Sequence, residues 1–160
     1  MFHKGHAALA RFAVVAALAG GLAACSMGGG GGGQLSAGLT APMNAPGAKL
    51  NRVEALFLLN DFRRSQGAAD VRGDTVLDGT AQSLATNYAK TGAQPILPPG
   101  AVVMRLSAGY TTFAEAFSGW RNVPADAAAI SDATAKRAGL GVAYDPNSTH
   151  GVYWVLVLDD

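Results

Sequence analysis

The sequence predicts an α+β domain in which helices flank an antiparallel sheet. Two amphipathic helical segments come first, a shorter helix follows, and two apolar runs near residues 139–158 have the composition of strands. Helices first and strands afterwards are typical of an α+β arrangement.

The first helix is predicted within residues 49–67, KLNRVEALFLLNDFRRSQG. Most of its large apolar residues recur with a period of 3.6 residues and predict one buried face: Leu50, Val53, Leu56, Leu59, Phe57 and Phe62. Arg63 and Arg64 suit the negative end of the helix dipole, and Gly67 suits the position after the helix end.

The second helix is predicted from about Thr75 to Thr91. Thr75 and Asp78 have the spacing of a capping box, and Gly92 ends the segment. The apolar residues of this helix also repeat on one side: Leu77, Ala81, Leu84, Ala85 and Tyr88.

The remaining elements are a strand, a short helix and a hairpin. AVVMRL, residues 101–106, has the β-branched content of a strand, and Thr112 with Glu115 forms a box that begins the helix. GLGVAY and VYWVLVL, joined by a polar turn, predict two buried strands. The spacing of four aromatic residues predicts core positions rather than a ligand site: Phe113, Phe117, Trp120 and Trp154.

The N-terminus has the features of a secretory signal, residues 1–24. Lys4 and Arg11 precede an apolar run that is too short to span a membrane, and small residues precede Cys25. The segment Leu22-Ala23-Ala24-Cys25 resembles the lipobox of bacterial lipoproteins, in which the cysteine is lipidated. Cys25 is the only cysteine of the chain, so no intramolecular disulfide explains it.

Residues 25–48 contain six consecutive glycines followed by Ser, Ala, Pro and Asn, which predicts a tether, with the folded domain at 49–160. The glycine run follows no predicted strand and precedes no helix, which disfavours a phosphate-binding loop. Position 26 is Ser rather than Asp, which in Gram-negative lipoproteins resembles the sorting pattern for the outer membrane. We therefore expect a lipid anchor on its periplasmic face in a Gram-negative bacterium.

The near-neutral net charge of the chain argues against partners that are strongly charged. The whole chain carries 12 Lys/Arg and 11 Asp/Glu, and without Lys4 and Arg11 the chain after Cys25 has ten and eleven, a formal charge of −1. This balance disfavours a nucleic-acid partner or a polybasic membrane patch.

The sequence lacks the combinations of residues that form common catalytic and metal sites. His3 and His6 belong to the predicted signal, so the mature chain keeps only His150, in a hairpin turn. A two-histidine metal site is thus excluded, and a Ser-His-acid or Cys-His set is disfavoured. Asp70, Asp74 and Asp78 are explained better by a turn and a helix start than by a carboxylate pair.

Several motifs, in this order and spacing, resemble the CAP superfamily (cysteine-rich secretory, antigen 5 and pathogenesis-related 1 proteins) in its small bacterial form. They extend over about residues 50–158: Leu59-Asn60-Asp61-Phe62-Arg63, Leu77 with Ala81, Ala108-Gly109-Tyr110, Trp120-x-Asn122-x-Pro124, Gly139-Leu140-Gly141-Val142-Ala143-Tyr144 and Tyr153-Trp154-Val155. The resemblance implies a three-layer α-β-α sandwich.

The resemblance also implies a cleft with two histidines and two acidic residues, which binds Zn²⁺ in some members. The matching positions here are Leu84, Met104, Asp126 and Arg137, so the metal-binding set is lost. We expect no metal or other cofactor, and we expect Asp126 and Arg137 to pair with each other because an isolated charge in a cleft is costly.

Three functions are compatible with the sequence. The favoured one is a non-catalytic module that binds an unidentified envelope protein. The second is a carrier of a small apolar ligand, since some CAP proteins bind sterols or fatty acids and Leu84 and Met104 could line such a groove. The third, a hydrolase, lacks visible catalytic residues.

Overall fold

Five helices and four strands make up the part of the chain that the structure, a computed structural model, describes: residues 35–160. Cys25 and the predicted signal peptide lie outside the described residues. The elements, in chain order, are α1 Ala37–Thr40, α2 Arg52–Ser65, β1 Arg72–Gly73, α3 Thr75–Thr91, β2 Ala101–Ala108, α4 Phe113–Asn122, α5 Pro124–Ile130, β3 Arg137–Tyr144 and β4 Val152–Asp159.

The strands form one sheet in the order β1-β3-β4-β2. β3 and β4 form the predicted antiparallel hairpin, β2 joins β4 antiparallel, and the two-residue β1 pairs parallel with β3. Helix α3 packs on one face of the sheet and α2, α4 and α5 lie on the other. This confirms the α+β class and the α-β-α sandwich.

β4 forms the centre of the core. Its residues from Val152 to Leu158 are all buried, as expected for a strand that is covered on both faces. Trp154, Leu156 and Leu158 pack with α2 and α4, whereas Val155 and Val157 pack toward α3. The predicted aromatic core is confirmed, because Phe113, Phe117, Trp120 and Trp154 are buried.

The Gly-Leu-Gly segment of β3 allows α3 to approach the sheet closely. A Cβ added at Gly139 would overlap the backbone of Leu77, and one at Gly141 would overlap the backbone of Ala81. Only glycine fits at these two positions without displacing the helix.

Helix α2 confirms part of the predicted buried face: Leu59 is buried, and Leu56 and Phe62 pack against the core. Val53 and Phe57 are instead 80% and 66% exposed, and the buried residues include Asn60 and Arg63. Apolar spacing does not indicate these two polar residues, whose side chains bond the neighbouring loops.

Helix α3 has the predicted bounds but a different cap. The side chain of Asp74, not of Thr75, accepts hydrogen bonds from the backbone of Val76 and Leu77. Asp78 points instead to β3. The capping box of Thr112 and Glu115 on α4 is confirmed.

Part of the segment assigned to the tether packs on the domain. Leu39 on α1 and Met43 are buried, and the amide of Met43 donates to the carbonyl of Thr111 over 2.8 Å. The packed domain therefore begins before Lys49. Helix α5 and strand β1 were not predicted, since an alanine-rich heptapeptide and a two-residue strand give weak patterns.

Candidate functional site

The four positions that correspond to the family cleft do not meet in one site. Leu84 on α3 and Met104 on β2 both pack against the apolar cluster between α3 and the sheet. Asp126 lies on α5, which covers the opposite face, and Arg137 begins β3. The structure thus groups the two apolar residues and separates the two charged ones from them.

Asp126 forms an ion pair with Arg105 of β2. Its Oδ1 atom lies 3.0 Å from Nε of Arg105, and both side chains are about one third exposed (32% and 28%). The Nε–H is poorly aligned for a hydrogen bond, so the contact is mainly electrostatic. Nη1 of Arg105 donates to the carbonyl of Met104 over 2.7 Å. Arg105 therefore covers the free edge of β2, and Asp126 balances its charge.

Arg137 has other partners, so the predicted Asp126–Arg137 pair is wrong. Its Nη2 atom lies 2.7 Å from Oδ2 of Asp159, and Nη1 lies 3.8 Å from Oδ2 of Asp74. Arg137 and Asp159 face each other in the register of β3 and β4. Asp126 instead sits over β2, on the far side of β4.

Side chains also cover the edge of β3 beyond Ala138, where its pairing with β1 ends. Asp78 accepts from the amide of Leu140 over 2.9 Å, and Nε of Arg52 donates to the carbonyl of Leu140 over 3.0 Å. Gln82 donates to the carbonyl of Val142 over 2.7 Å. These bonds satisfy edge groups that would otherwise recruit another strand.

The three closely spaced carboxylates each have a structural partner, which supports the interpretation that they stabilise a turn and a helix start. Asp70 bonds Arg64, with 2.9 Å between Oδ2 and Nη1, Asp74 caps α3 and Asp78 bonds β3. None of these contacts resembles a shared-proton carboxylate pair.

Arg63 is the most buried charged group among the described residues, and no local pattern in the sequence signals its role. Its guanidinium donates to four backbone carbonyls: Ala69 over 2.8 Å, Ile130 over 2.8 Å, Asp132 over 3.0 Å and Ala135 over 3.5 Å. Burial lowers the pKa of Arg63, while the nearby Asp132 and Asp70 raise it. The group links α2 to the segment between α5 and β3.

Asn60 holds a second loop against the same helix. Its amide donates to the carbonyl of Val71 and accepts from the amide of Val71, both over 2.9 Å. The motif Leu59-Asn60-Asp61-Phe62-Arg63 therefore acts as a clamp on two loops. No local signal in the sequence marks this role, since Asp61 and Arg64 are polar residues of the same segment.

Metal binding does not fit this donor set. Leu84 has no ligand atom, Arg137 is a cation, and the carboxylate of Asp126 is engaged by Arg105. Across residues 35–160, no group of three or more His, Cys, Asp or Glu side chains could hold a metal ion. His150 is exposed in the turn before β4, as predicted. No chemical step through zinc follows from these residues.

Comparison with known proteins identifies the family. The sequence profile described as "CAP: Cysteine-rich secretory protein family" matches residues 56–158. The chain belongs to the CAP family. The match includes the clamp from Leu59 to Arg63 and ends with the buried strand β4. No curated protein is significantly similar to the chain in sequence.

Solved structures share the CAP fold at low identity. MpPR-1i, in the crystal soaked with selenourea, aligns with a TM-score of 0.57 at 20% identity, covering 68% of this chain and 89% of its own. An outer surface protein from Borrelia burgdorferi gives 0.55 at 13% identity, with coverages of 71% and 97%.

A cysteine-rich secretory protein from Staphylococcus aureus gives a TM-score of 0.50 at 10% identity and covers 68% of this chain but 38% of its own. At such identities the likeness establishes the fold only. Within residues 35–160, no helix of this CAP protein has the length and apolar character needed to cross a bilayer.

Proposed function

We propose that this chain is a lipid-anchored envelope lipoprotein whose CAP domain acts by binding rather than by catalysis. The observation that carries the proposal is the segment Leu22-Ala23-Ala24-Cys25, which ends a signal-like N-terminus at the only cysteine. Ser26 favours the periplasmic face of the outer membrane. The likeness to a protein named as an outer surface protein supports an envelope location.

A binding role is supported by what the ionisable groups do. Asp126 pairs with Arg105, Arg137 pairs with Asp159, and Asp78 bonds the edge of β3. Each of these groups makes a contact that holds the fold together. An unidentified envelope protein is the partner that we favour.

Labelling with radioactive palmitate tests the anchor. We expect incorporation into the wild-type chain and none into Cys25→Ser, since the thiol carries the lipid. Ser26→Asp is the matched control for sorting, because it keeps the cysteine and should alter only the membrane that receives the protein. Equal labelling of wild type and Cys25→Ser would overturn the anchor.

Crosslinking in intact envelopes tests the binding role. The wild-type chain is compared with a variant that lacks the six glycines at 28–33. Partners captured by the wild type and lost from the shortened variant would lie at a distance from the anchoring membrane. Capture of no protein by either form would contradict a protein-binding module.

A carrier of a small apolar ligand is the second candidate. Met104 lines a surface cavity of about 350 Å³ together with Leu97, Val102 and Val103, at the lower end of ligand-pocket sizes. Arg105 and Asp132 add charged groups to its wall. Delipidated protein that extracts lipid from vesicles would favour this function. Leu84 does not line the cavity, so the apolar pair does not form one groove.

A further inference from the structure

We propose that the outward face of α2, formed by Val53, Phe57 and Arg64, docks on the surface of the membrane that carries the anchor. This inference rests on the proposed lipid anchor at Cys25. Val53 and Phe57 are four residues apart and therefore lie on the same side of the helix. Val53 is 80% exposed and Phe57 is 66% exposed. Such exposure is unusual for a Phe side chain, which is ordinarily buried.

The described chain begins beside this face. The hydroxyl of Ser36 donates to Oε2 of Glu54 over 2.6 Å, and Glu54 follows Val53 in the first turn of α2. Cys25 precedes Ser36 by eleven residues, a length that spans at most about 40 Å when fully extended. A membrane that holds Cys25 is thus within reach of α2.

The chemistry of the face fits the interface of a bilayer. The guanidinium carbon of Arg64 lies 6.0 Å from the centre of the Phe57 ring, and Arg64 is paired with Asp61 and Asp70. The face therefore offers an aromatic ring and an aliphatic side chain beside one arginine and two carboxylates, a local formal charge of −1. Such a surface inserts shallowly through its apolar groups, and anionic lipid should not strengthen its binding.

Weak insertion is sufficient for a tethered domain. Two apolar side chains alone would bind a bilayer poorly, but the anchor keeps the domain at a high effective concentration near the surface. The outward positions of α3 are mostly polar and include Ser83, Asn87 and Lys90. One exposed apolar residue, Val76 at 75%, stands in its first turn, and α3 exposes no aromatic ring. We therefore expect α2 and not α3 to face the bilayer.

Site-specific fluorescence tests the orientation. The full-length acylated chain with Val53→Cys carries an environment-sensitive fluorophore at position 53, since acylation blocks Cys25 from labelling. It is reconstituted in phosphatidylcholine vesicles with and without phosphatidylglycerol, and nitroxide-bearing lipids serve as quenchers. Ser83→Cys on α3 is the matched control, and Val53→Cys with Phe57→Glu removes the ring but keeps the probe.

We expect a blue shift and strong quenching at position 53, little of either at position 83, and loss of both signals with Phe57→Glu. Equal quenching at 53 and 83 in an acylated protein would overturn the docking and leave the anchor intact. A shift at 53 that appears without vesicles and grows with protein concentration would assign the face to a second copy instead. Absence of acylation at Cys25 would overturn the anchor and the docking together.

Discussion

The carboxylate of Asp126 lies 3.0 Å from Nε of Arg105, across the gap between α5 and the edge strand β2. Asp126 occupies the position that the CAP resemblance assigns to a histidine of the family cleft. In this chain the side chain instead balances an arginine that covers the carbonyl of Met104. The position that the resemblance links to metal binding thus holds a side chain that pairs with the edge strand.

A double-mutant cycle should detect this pair. We expect Asp126→Asn and Arg105→Met to be coupled by about 1 kcal/mol in the free energy of unfolding, because both groups are partly screened by water. Asp126→Asn with Arg137→Met is the control cycle and should give a coupling near zero. Urea unfolding followed by circular dichroism measures both. Stronger coupling of Asp126 to Arg137 would contradict the observed pairing.

Loss of Arg63 should be severe. Arg63→Met leaves four backbone carbonyls, two of them in buried contacts, without their donor, so we expect a loss of about 3 kcal/mol in the free energy of unfolding. The adjacent Arg64→Met removes a cation that is exposed and should leave the unfolding midpoint nearly unchanged. Similar midpoints for the two variants in urea would show that Arg63 is not a clamp.

Glycine substitutions should separate packing from helix propensity. Gly141→Ala places a Cβ against the backbone of Ala81, so we expect overpacking that costs about 1–3 kcal/mol. Gly79→Ala, on the open side of α3, meets nothing within 4 Å and should stabilise the helix by about 0.5–1 kcal/mol. Thermal unfolding should show a lower unfolding temperature for Gly141→Ala and a higher one for Gly79→Ala than for the wild type. A stabilising Gly141→Ala would contradict the close approach of α3 to β3.

The capping box of α4 should make stability depend on pH. Hydrogen bonds from the backbone of Thr112, and further ones from Thr111, hold the pKa of Glu115 below its ordinary value. A carboxylate with a lowered pKa stabilises the fold above its unfolded pKa of about 4.3, and this contribution disappears as the pH falls through the folded value.

We therefore expect Glu115→Gln to be less stable than wild type at pH 7, by about 0.5 kcal/mol. The difference should shrink between about pH 5 and pH 3 as the wild-type carboxylate takes up its proton. Chemical unfolding of both proteins at each pH measures it. A gap that stays constant over this range would mean that the charge of Glu115 does not contribute.

Periodic apolar segments make the fold largely predictable. The bounds of α3 and the hairpin of β3 and β4 follow from apolar spacing, a terminal Gly and a polar turn. A helix-end arginine ordinarily faces water, and only the approach of the loop from Ile130 to Ala135 explains the burial of Arg63. Long-range contacts of this kind leave no local pattern.

The candidate site is less predictable. Matching to family positions indicates the loss of ligands at Leu84 and Met104, but it also suggests that Asp126 and Arg137 meet. Their true partners, Arg105 and Asp159, depend on which strand lies at the edge of the sheet and on the register of β3 and β4. Neither the order of the strands nor the register of β3 and β4 leaves a pattern in a single sequence, so the ion-pair partners could not be predicted.

We propose that this CAP domain keeps the family scaffold and functions without the zinc that the resemblance implies for some members. Zinc titration by calorimetry, on the untagged mature protein after treatment with a chelator, measures whether the domain binds this metal. We predict no stoichiometric binding, and no change in the unfolding temperature when zinc is added, because the four cleft positions supply no ligand set. One tightly bound zinc per chain, with a rise in that temperature that a chelator reverses, would contradict the claim.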